Sequence, residues 1–267
     1  MNTYLALFRI RFSAGLQYRA AALGGMATQF AWGFMLILQF SAFHRSNPDA
    51  FPMTLPQIAS YIWMQQALLA LFMTWFVEHD ILSSITSGSI AYELARPMNL
   101  YNRWFCQASA NRIVKATLRC LPILIVSFLL PEPFRMVLPD SAIQLVMFIF
   151  STVLALGVVV AFSMFIYTTV FYTLSSLGVR LIGSVLADFF AGAIIPLPFF
   201  PDGFRQIVEL LPFAAMQNMP LRIYSGNITG TDALWGLGLQ VFWLVTLIIA
   251  GKLAMRKALT KVIVQGG

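Results

Sequence analysis

Long apolar runs, separated by short breaks rich in proline, glycine or basic residues, set the pattern of the chain. The first eighteen residues put Leu5, Phe8, Phe12 and Leu16 on one helical face and turn Arg9 and Arg11 away from it. That pattern predicts an N-terminal interfacial helix over 1–18. Apolar runs then predict membrane-spanning helices over 20–43, 57–77, from 108 onward, up to Tyr172, over 181–195 and over 233–251. Runs of about 20 residues match a helix crossing the hydrocarbon core, not the alternating ten-residue strands of a barrel. The run 20–43 is longer than a secretory signal core and lacks a small-residue cleavage site, so a retained first span is expected.

Two runs need more argument. Residues 141–179 carry no charge, and as one helix they would measure roughly 58 Å, nearly twice the hydrocarbon thickness. "TLSSLGVR" (173–180) therefore reads as a turn between the fourth and fifth spans. The third run opens with Arg112, Lys115 and Arg119, spaced so as to share one helix face. They are expected to snorkel toward anionic headgroups, with an acidic lipid-like substrate as the alternative ligand.

Composition agrees with lipid as the solvent: 59% of residues are hydrophobic and 10% charged, against about 25% charged in soluble domains. Six spans with both termini cytoplasmic leave only Arg45, Arg135, Arg205 and Arg222 of the 17 basic residues outside, the bias of the positive-inside rule. The net charge of +7 then needs no nucleic-acid partner, since the cations flank membrane segments. Cys106 and Cys120 share one segment and read as packing residues. The expectation is an all-α integral membrane protein, one domain over 1–267, with six transmembrane helices.

Between spans five and six, Pro196, Pro198 and Pro201 forbid a continuous helix, and Asp202 and Gly203 make a turn. A seventh crossing would carry the basic tail outside and place Glu209, Pro212 and Pro220 in lipid. Residues 196–224 are therefore expected to form a re-entrant extracellular helical hairpin covered by protein. Pro198, Pro201, Gly203 and Pro212 are its candidate gate residues.

The sequence contains no phosphate-binding loop, and its two histidines, His44 and His79, fall on opposite membrane sides in this topology. The most structured polar stretch is 78–104, "EHDILSSITSGSIAYELARPMNLYNRW". Ile81, Leu82 and Ile85 can share one side of a short helix, Gly88 breaks it, Ile90 and Leu94 resume an apolar face, and Pro97 stops the second piece. Such a loop either packs on its own spans or docks a soluble partner. Its order of Glu78, Gly88, Leu94 and Pro97, together with "PLPFFPDGFRQIVELLPF", "GSIAYELARPMN" and the ending "VIVQGG", resembles the ABC-2 type permeases, membrane subunits of bacterial ABC exporters.

The resemblance covers essentially the whole chain. It implies a non-catalytic permease subunit in the bacterial cytoplasmic membrane, paired with a second permease, a different chain rather than a copy, and with two ATPase subunits. ATP and Mg would be bound by those subunits, with no cofactor in this chain. It implies a coupling loop with Ile81, Ile85, Gly88, Ile90, Glu93, Leu94, Arg96 and Pro97 as its candidate residues, Glu93 and Arg96 being polar contacts to the ATPase. Substrates would be hydrophobic or amphipathic. Gln65, Gln66 and the intramembrane Asp188 are candidate pathway residues, although buried structural roles suit them too. An ion-coupled secondary transporter would need midplane ion sites, for which only Asp188 qualifies, and a lipid-modifying enzyme would need a catalytic cluster.

Overall fold

The computed structural model describes residues 3–17, 19–173 and 176–260, apart from the side chains of 19–23 and 176. The "VIVQGG" ending and residues 174–175 of the expected turn lie outside the described residues. Every regular element among the described residues is helical. The order is α1 (Thr3–Gly15), α2 (Arg19–Ser46), α3 (Leu55–Ala67), α4 (Leu69–Phe72), α5 (His79–Thr86), α6 (Ile90–Leu94), α7 (Leu100–Leu129), α8 (Ala142–Thr173), α9 (Ser176–Phe190), α10 (Asp202–Glu209), α11 (Asn218–Tyr224) and α12 (Gly230–Leu259). Short 3-10 turns occur at Pro48–Ala50 and Leu197–Phe199.

Local chemistry sets several of these boundaries. Thr54 and Gln57 form a capping box at the start of α3: Thr54 Oγ1 accepts from the Gln57 N–H at 3.3 Å, and Gln57 Oε1 accepts from the Thr54 N–H at 3.0 Å. At the start of α7, Asn99 Oδ1 accepts from the Asn102 N–H at 3.1 Å. α8 and α12 pack along one another and are joined in the first half of each by a reciprocal polar pair. Ser151 Oγ donates to Gln240 Oε1 at 2.8 Å, while Gln240 Nε2 donates to the carbonyls of Ser151 and Ala215 at 3.2 and 2.9 Å.

The expected six spans are not what the structure contains. Among the described residues, three helices are long and apolar enough to cross a membrane: Gly24–Ser46 within α2, Ala142–Thr173 and Gly230–Leu259. The other three expected spans fail for different physical reasons. The run 57–77 is a 13-residue α3 that stops at Leu68 (φ −101°, ψ 13°), a four-residue α4, and non-helical backbone from Met73 onward. α7 is long, but Arg103, Arg112, Lys115 and Arg119 occupy its first two-thirds, and Pro122 lies within the rest. α9 begins at Ser176, before the expected start, and has 15 residues, roughly 23 Å, which is short of a hydrocarbon core of about 30 Å.

As a span, 57–77 would set Tyr61, Trp63 and Trp75 at the two membrane interfaces. Tyr61 and Trp63 are fully buried, and only Trp75 is half exposed. Trp63 donates from Nε1 to the Phe134 carbonyl at 2.7 Å and is edged by the rings of Phe30 and Phe34. Its ring lies so close over Gly33 of α2 that a side chain there would collide with it. The N-terminal helix packs side by side with α7: Gly15 faces Val114, and the Cys106 thiol donates to the Tyr4 carbonyl at 3.3 Å. Leu5 of this helix is exposed.

The backbone break after α4 is held by Arg112, which was expected to snorkel and instead is buried. Its Nη1 donates to the carbonyls of Ala70 and Met73 at 3.3 and 2.7 Å. Its Nη2 donates to the Phe76 carbonyl at 2.8 Å and to Ser163 Oγ at 3.3 Å. Lys115 Nζ sits 5.0 Å from the Phe76 ring centroid, and the Arg119 guanidinium packs over Gly25. Replacing Arg112 with alanine strands three carbonyls in the interior, a loss of about 3 kcal/mol or more. Arg112→Ala is expected to lower the thermal midpoint in detergent and speed amide exchange at 73–78 relative to α12. Arg112→Lys should not rescue it, because one ammonium cannot reproduce the planar fork; a wild-type midpoint for the alanine variant would refute this account.

Candidate functional site

The loop expected to carry the chemistry of partnership is built at one end of the bundle, from α5, α6, the start of α7 and the ends of α8 and α12. Ile81, Leu82, Ile85 and Ile90 are buried there with Tyr167 and Met255. Ile81, Ile85 and Ile90 are therefore anchors of the loop, turned toward the bundle. Gly88 separates the two short helices with φ +74°, a conformation that favours glycine, and nothing crowds the position of an added Cβ. The outward rim consists of Tyr92, 79% exposed, with exposed Leu94, Arg96 and Pro97 after it.

Glu93 is not part of that rim. Its carboxylate accepts from Arg103 Nη2 at 3.0 Å and from Trp104 Nε1 at 2.7 Å, clamping α6 onto α7. At the head of the loop, Asn111 Nδ2 donates to Glu78 Oε2, and the Glu78 N–H donates to Tyr167 Oη at 2.9 Å. Arg11 reaches Asp80 at 3.2 Å, an exposed pair of small energetic weight. The Cys106 thiol, beside α1, has its pKa pushed up by burial, and both cysteines are free.

The opposite end of the bundle holds 196–224. It comprises the 3-10 turn, α10, a run of turns over 210–217 and α11; α11 packs against α8, α3 and α12, and α10 against the 3-10 turn. Pro198 is buried, Pro212 is half-buried, and Pro201 and Gly203 are exposed at the start of α10. Residues 214–221 are buried throughout, and irregular backbone of this kind is tolerated in lipid only when protein covers it. Asn218 and the Gln217 Nε2 have no hydrogen-bond partner among the described residues, whereas Arg222 holds Glu209 and donates from Nε to Asn227 Oδ1 at 2.7 Å.

The three candidate pathway residues turn out to be joints. Asp188 accepts at Oδ1 from Thr74 Oγ1 at 3.1 Å, and the same hydroxyl lies 3.4 Å from the Ser184 carbonyl, so α9 is tied to the irregular segment after α4. Gln65 Nε2 donates to the Ala193 carbonyl at 2.9 Å, next to the Gly192 carbonyl that accepts from Tyr61 Oη at 3.4 Å. Gln66 is buried, and its backbone carbonyl accepts from Gln29 Nε2 at 2.8 Å. Asp188, Gln65 and Gln66 thus sit along one route between the two ends, without converging on a common cavity. Sequence reading missed Tyr92, Thr74, Asn111 and Tyr167. Tyr92 alone carried a signal, as an aromatic in a short helix closed by Pro97.

Among the described residues, no three His, Cys, Asp or Glu side chains gather as a metal site. The Glu93 clamp yields a direct expectation. Glu93→Ala leaves Arg103, whose side chain is 6% exposed, without its counter-charge. Losing one partner of such a pair costs about 3–5 kcal/mol. The variant should lose thermal stability and release α6 to limited proteolysis between Gly88 and Pro97; unchanged cleavage would show that the clamp is not needed.

A search of curated proteins finds no match to this chain. The sequence profile of the ABC-2 family transporter proteins, by contrast, matches residues 30–266, taking in α3 to α12, the loop at one end and the packed hairpin at the other. With helices fit to cross a membrane and a profile match over most of its length, the chain belongs to the ABC-2 transporter family.

Proposed function

We propose that the chain is the permease subunit of an ATP-driven exporter moving a hydrophobic or amphipathic substrate out across the bacterial cytoplasmic membrane. Family membership implies an ATPase partner. The observation that carries the reading further is the form of the 78–104 loop: its isoleucines are buried in the bundle while Tyr92, Leu94, Arg96 and Pro97 face outward. A loop anchored on one side and bearing an exposed aromatic, an aliphatic and a cation on the other suits docking to a soluble subunit. Two such ATPase subunits, holding ATP and Mg, and a second, different permease complete the proposed assembly.

The loop end is assigned to the cytoplasm. Arg9, Arg11, Arg96, Arg103, Lys252 and Arg256 lie on elements gathered at that end, which favours the cytoplasmic face. α1 and the end of α12 both reach it, which supports cytoplasmic termini. In this mechanism, closure of the ATPase pair on nucleotide pushes the loop. The push passes into 73–78 through Glu78, reaches α9 through the Thr74–Asp188 bond, and reaches the hairpin through Gln65 and Tyr61 at Ala193 and Gly192. The hairpin, with Pro198, Pro201, Gly203 and Pro212, acts as the outer gate.

The rival reading, ion-coupled transport, makes Asp188 the coupling site. Purification in mild detergent with the ATPase, followed by ATP hydrolysis and transport in proteoliposomes, separates the two. The double variant Tyr92→Asp with Leu94→Asp should lose ATPase association at least about tenfold, as truncating a central anchor does, with an unchanged thermal midpoint because both side chains are exposed. Asp188→Asn keeps an oxygen for Thr74 and should keep ATP-driven transport. A chain that transports on an ion gradient without ATP, and stops when Asp188 becomes asparagine, would overturn the proposal.

A further inference from the structure

At the loop end, α7 and α12 diverge around a cavity of about 570 Å³. The first turn of α7 forms one wall with Asn99, Leu100 and Tyr101; the last turns of α12 form the other, with Lys252, Arg256 and Leu259 prominent among them. Among the described residues, no acidic side chain lines the cavity. Lys252 and Arg256 stand one helical turn apart, both exposed, and neither makes an ion pair among the described residues. Lys252 Nζ lies 5.9 Å from the Tyr101 ring centroid.

Two further features point to a ligand with a negative head. The cavity is at the N-terminus of a 30-residue helix, where backbone N–H groups and the helix dipole favour an anion. Tyr101 is 3% exposed and packs against Gly251, yet its hydroxyl has no hydrogen-bond partner among the described residues. A buried hydroxyl without a partner is the exception in folded proteins and calls for an explanation. Leu100, Met255 and Leu259 supply apolar wall, and Leu253, 62% exposed, continues it out onto the surface of α12. The cavity is thus cationic at its mouth and greasy along its side.

We propose that this cavity binds an anionic phospholipid, its phosphate held between Lys252, Arg256 and the first turn of α7, and an acyl chain lying along Leu253 and Leu259. Basic pockets between helices at a membrane face are suited to such headgroups. None of the residues belongs to the docking rim, so the site is separate from the contact with the ATPase. A lipid seated here would bridge the start of α7, which carries the loop through Arg103 and Trp104, to the end of α12.

The test uses the full chain in mild detergent, with native mass spectrometry read against added short-chain phosphatidylglycerol, phosphatidylcholine and inorganic phosphate. Phosphatidylglycerol should be retained at least about tenfold better than phosphatidylcholine, and Lys252→Gln with Arg256→Gln should weaken it roughly 30-fold, the effect of two juxtamembrane cations. Lys257→Gln, on the same turn but outside the cavity, should weaken it less than about threefold. Tyr101→Phe, which keeps the wall, should give an intermediate loss. Equal loss in the Lys257 variant, or equal retention of both lipids, would overturn the site. Inorganic phosphate retained as well as phosphatidylglycerol would replace the lipid with a free anion and overturn the lipid assignment. The readout needs no ATPase, so failure of the export reading would leave it standing.

Discussion

The architecture depends on one guanidinium. Arg112 is buried in the bundle with four acceptors around it, three of them carbonyls: Ala70 within α4, and Met73 and Phe76 in the segment after it. A charge in such a place is tolerated only when hydrogen-bonded, and carbonyls outside a helix are tolerated only when something donates to them. Each difficulty resolves the other. The chain can leave helical geometry inside the bundle because Arg112 is there, and Arg112 can be there because the chain has left helical geometry.

That exchange explains why the segment after α4 is suited to pass movement. A continuous helix from Gln57 to Val77 would be a stiff rod held mainly by its own backbone bonds. The irregular segment instead takes its bonds from three neighbours: Arg112 of α7, Asp188 of α9 through Thr74, and Tyr167 of α8 through the Glu78 N–H. Displacing it must trade bonds on several helices together. The hairpin end is held differently. Its core is apolar, and two of its most buried polar residues, Gln217 and Asn218, take little or no hydrogen bonding from the protein.

The parts legible in the sequence were those with local causes. The glycine at position 88 and the apolar runs of α2, α8 and α12 are written in adjacent residues. So were the short helices on both sides of Gly88 and the break at Pro196 to Pro201. The departure from helix at Met73 was not, because "QQALLALFMTW" contains neither glycine nor proline, and the side chain that takes up the carbonyls there, Arg112, lies some forty positions away. Counting spans by hydropathy went wrong for the same reason. Protein covers α3 as lipid would, so an apolar run over 57–77 has the same composition whether neighbouring helices or acyl chains surround it. Tyr61 and Trp63 read as interfacial on the assumption of lipid, but α3 is enclosed and both are core. Glu93 looked like a partner contact because charged residues in loops are usually solvated, and only the fold brings Arg103 and Trp104 to it.

Glu93 and Arg112 also show how charge is used in a chain with only 10% charged residues. Neither is placed for solubility. Glu93 fixes the orientation of α6 by engaging Arg103 and the Trp104 N–H together, so Tyr92 and Leu94 project from a clamped helix, not from a flexible loop. Ordering these side chains before a partner arrives removes part of the entropic cost of docking. The carboxylate that holds the rim and the guanidinium that holds the break lie on the same helix or bind to it. α7, too charged to read as a simple span, is the element through which the two ends are mechanically joined.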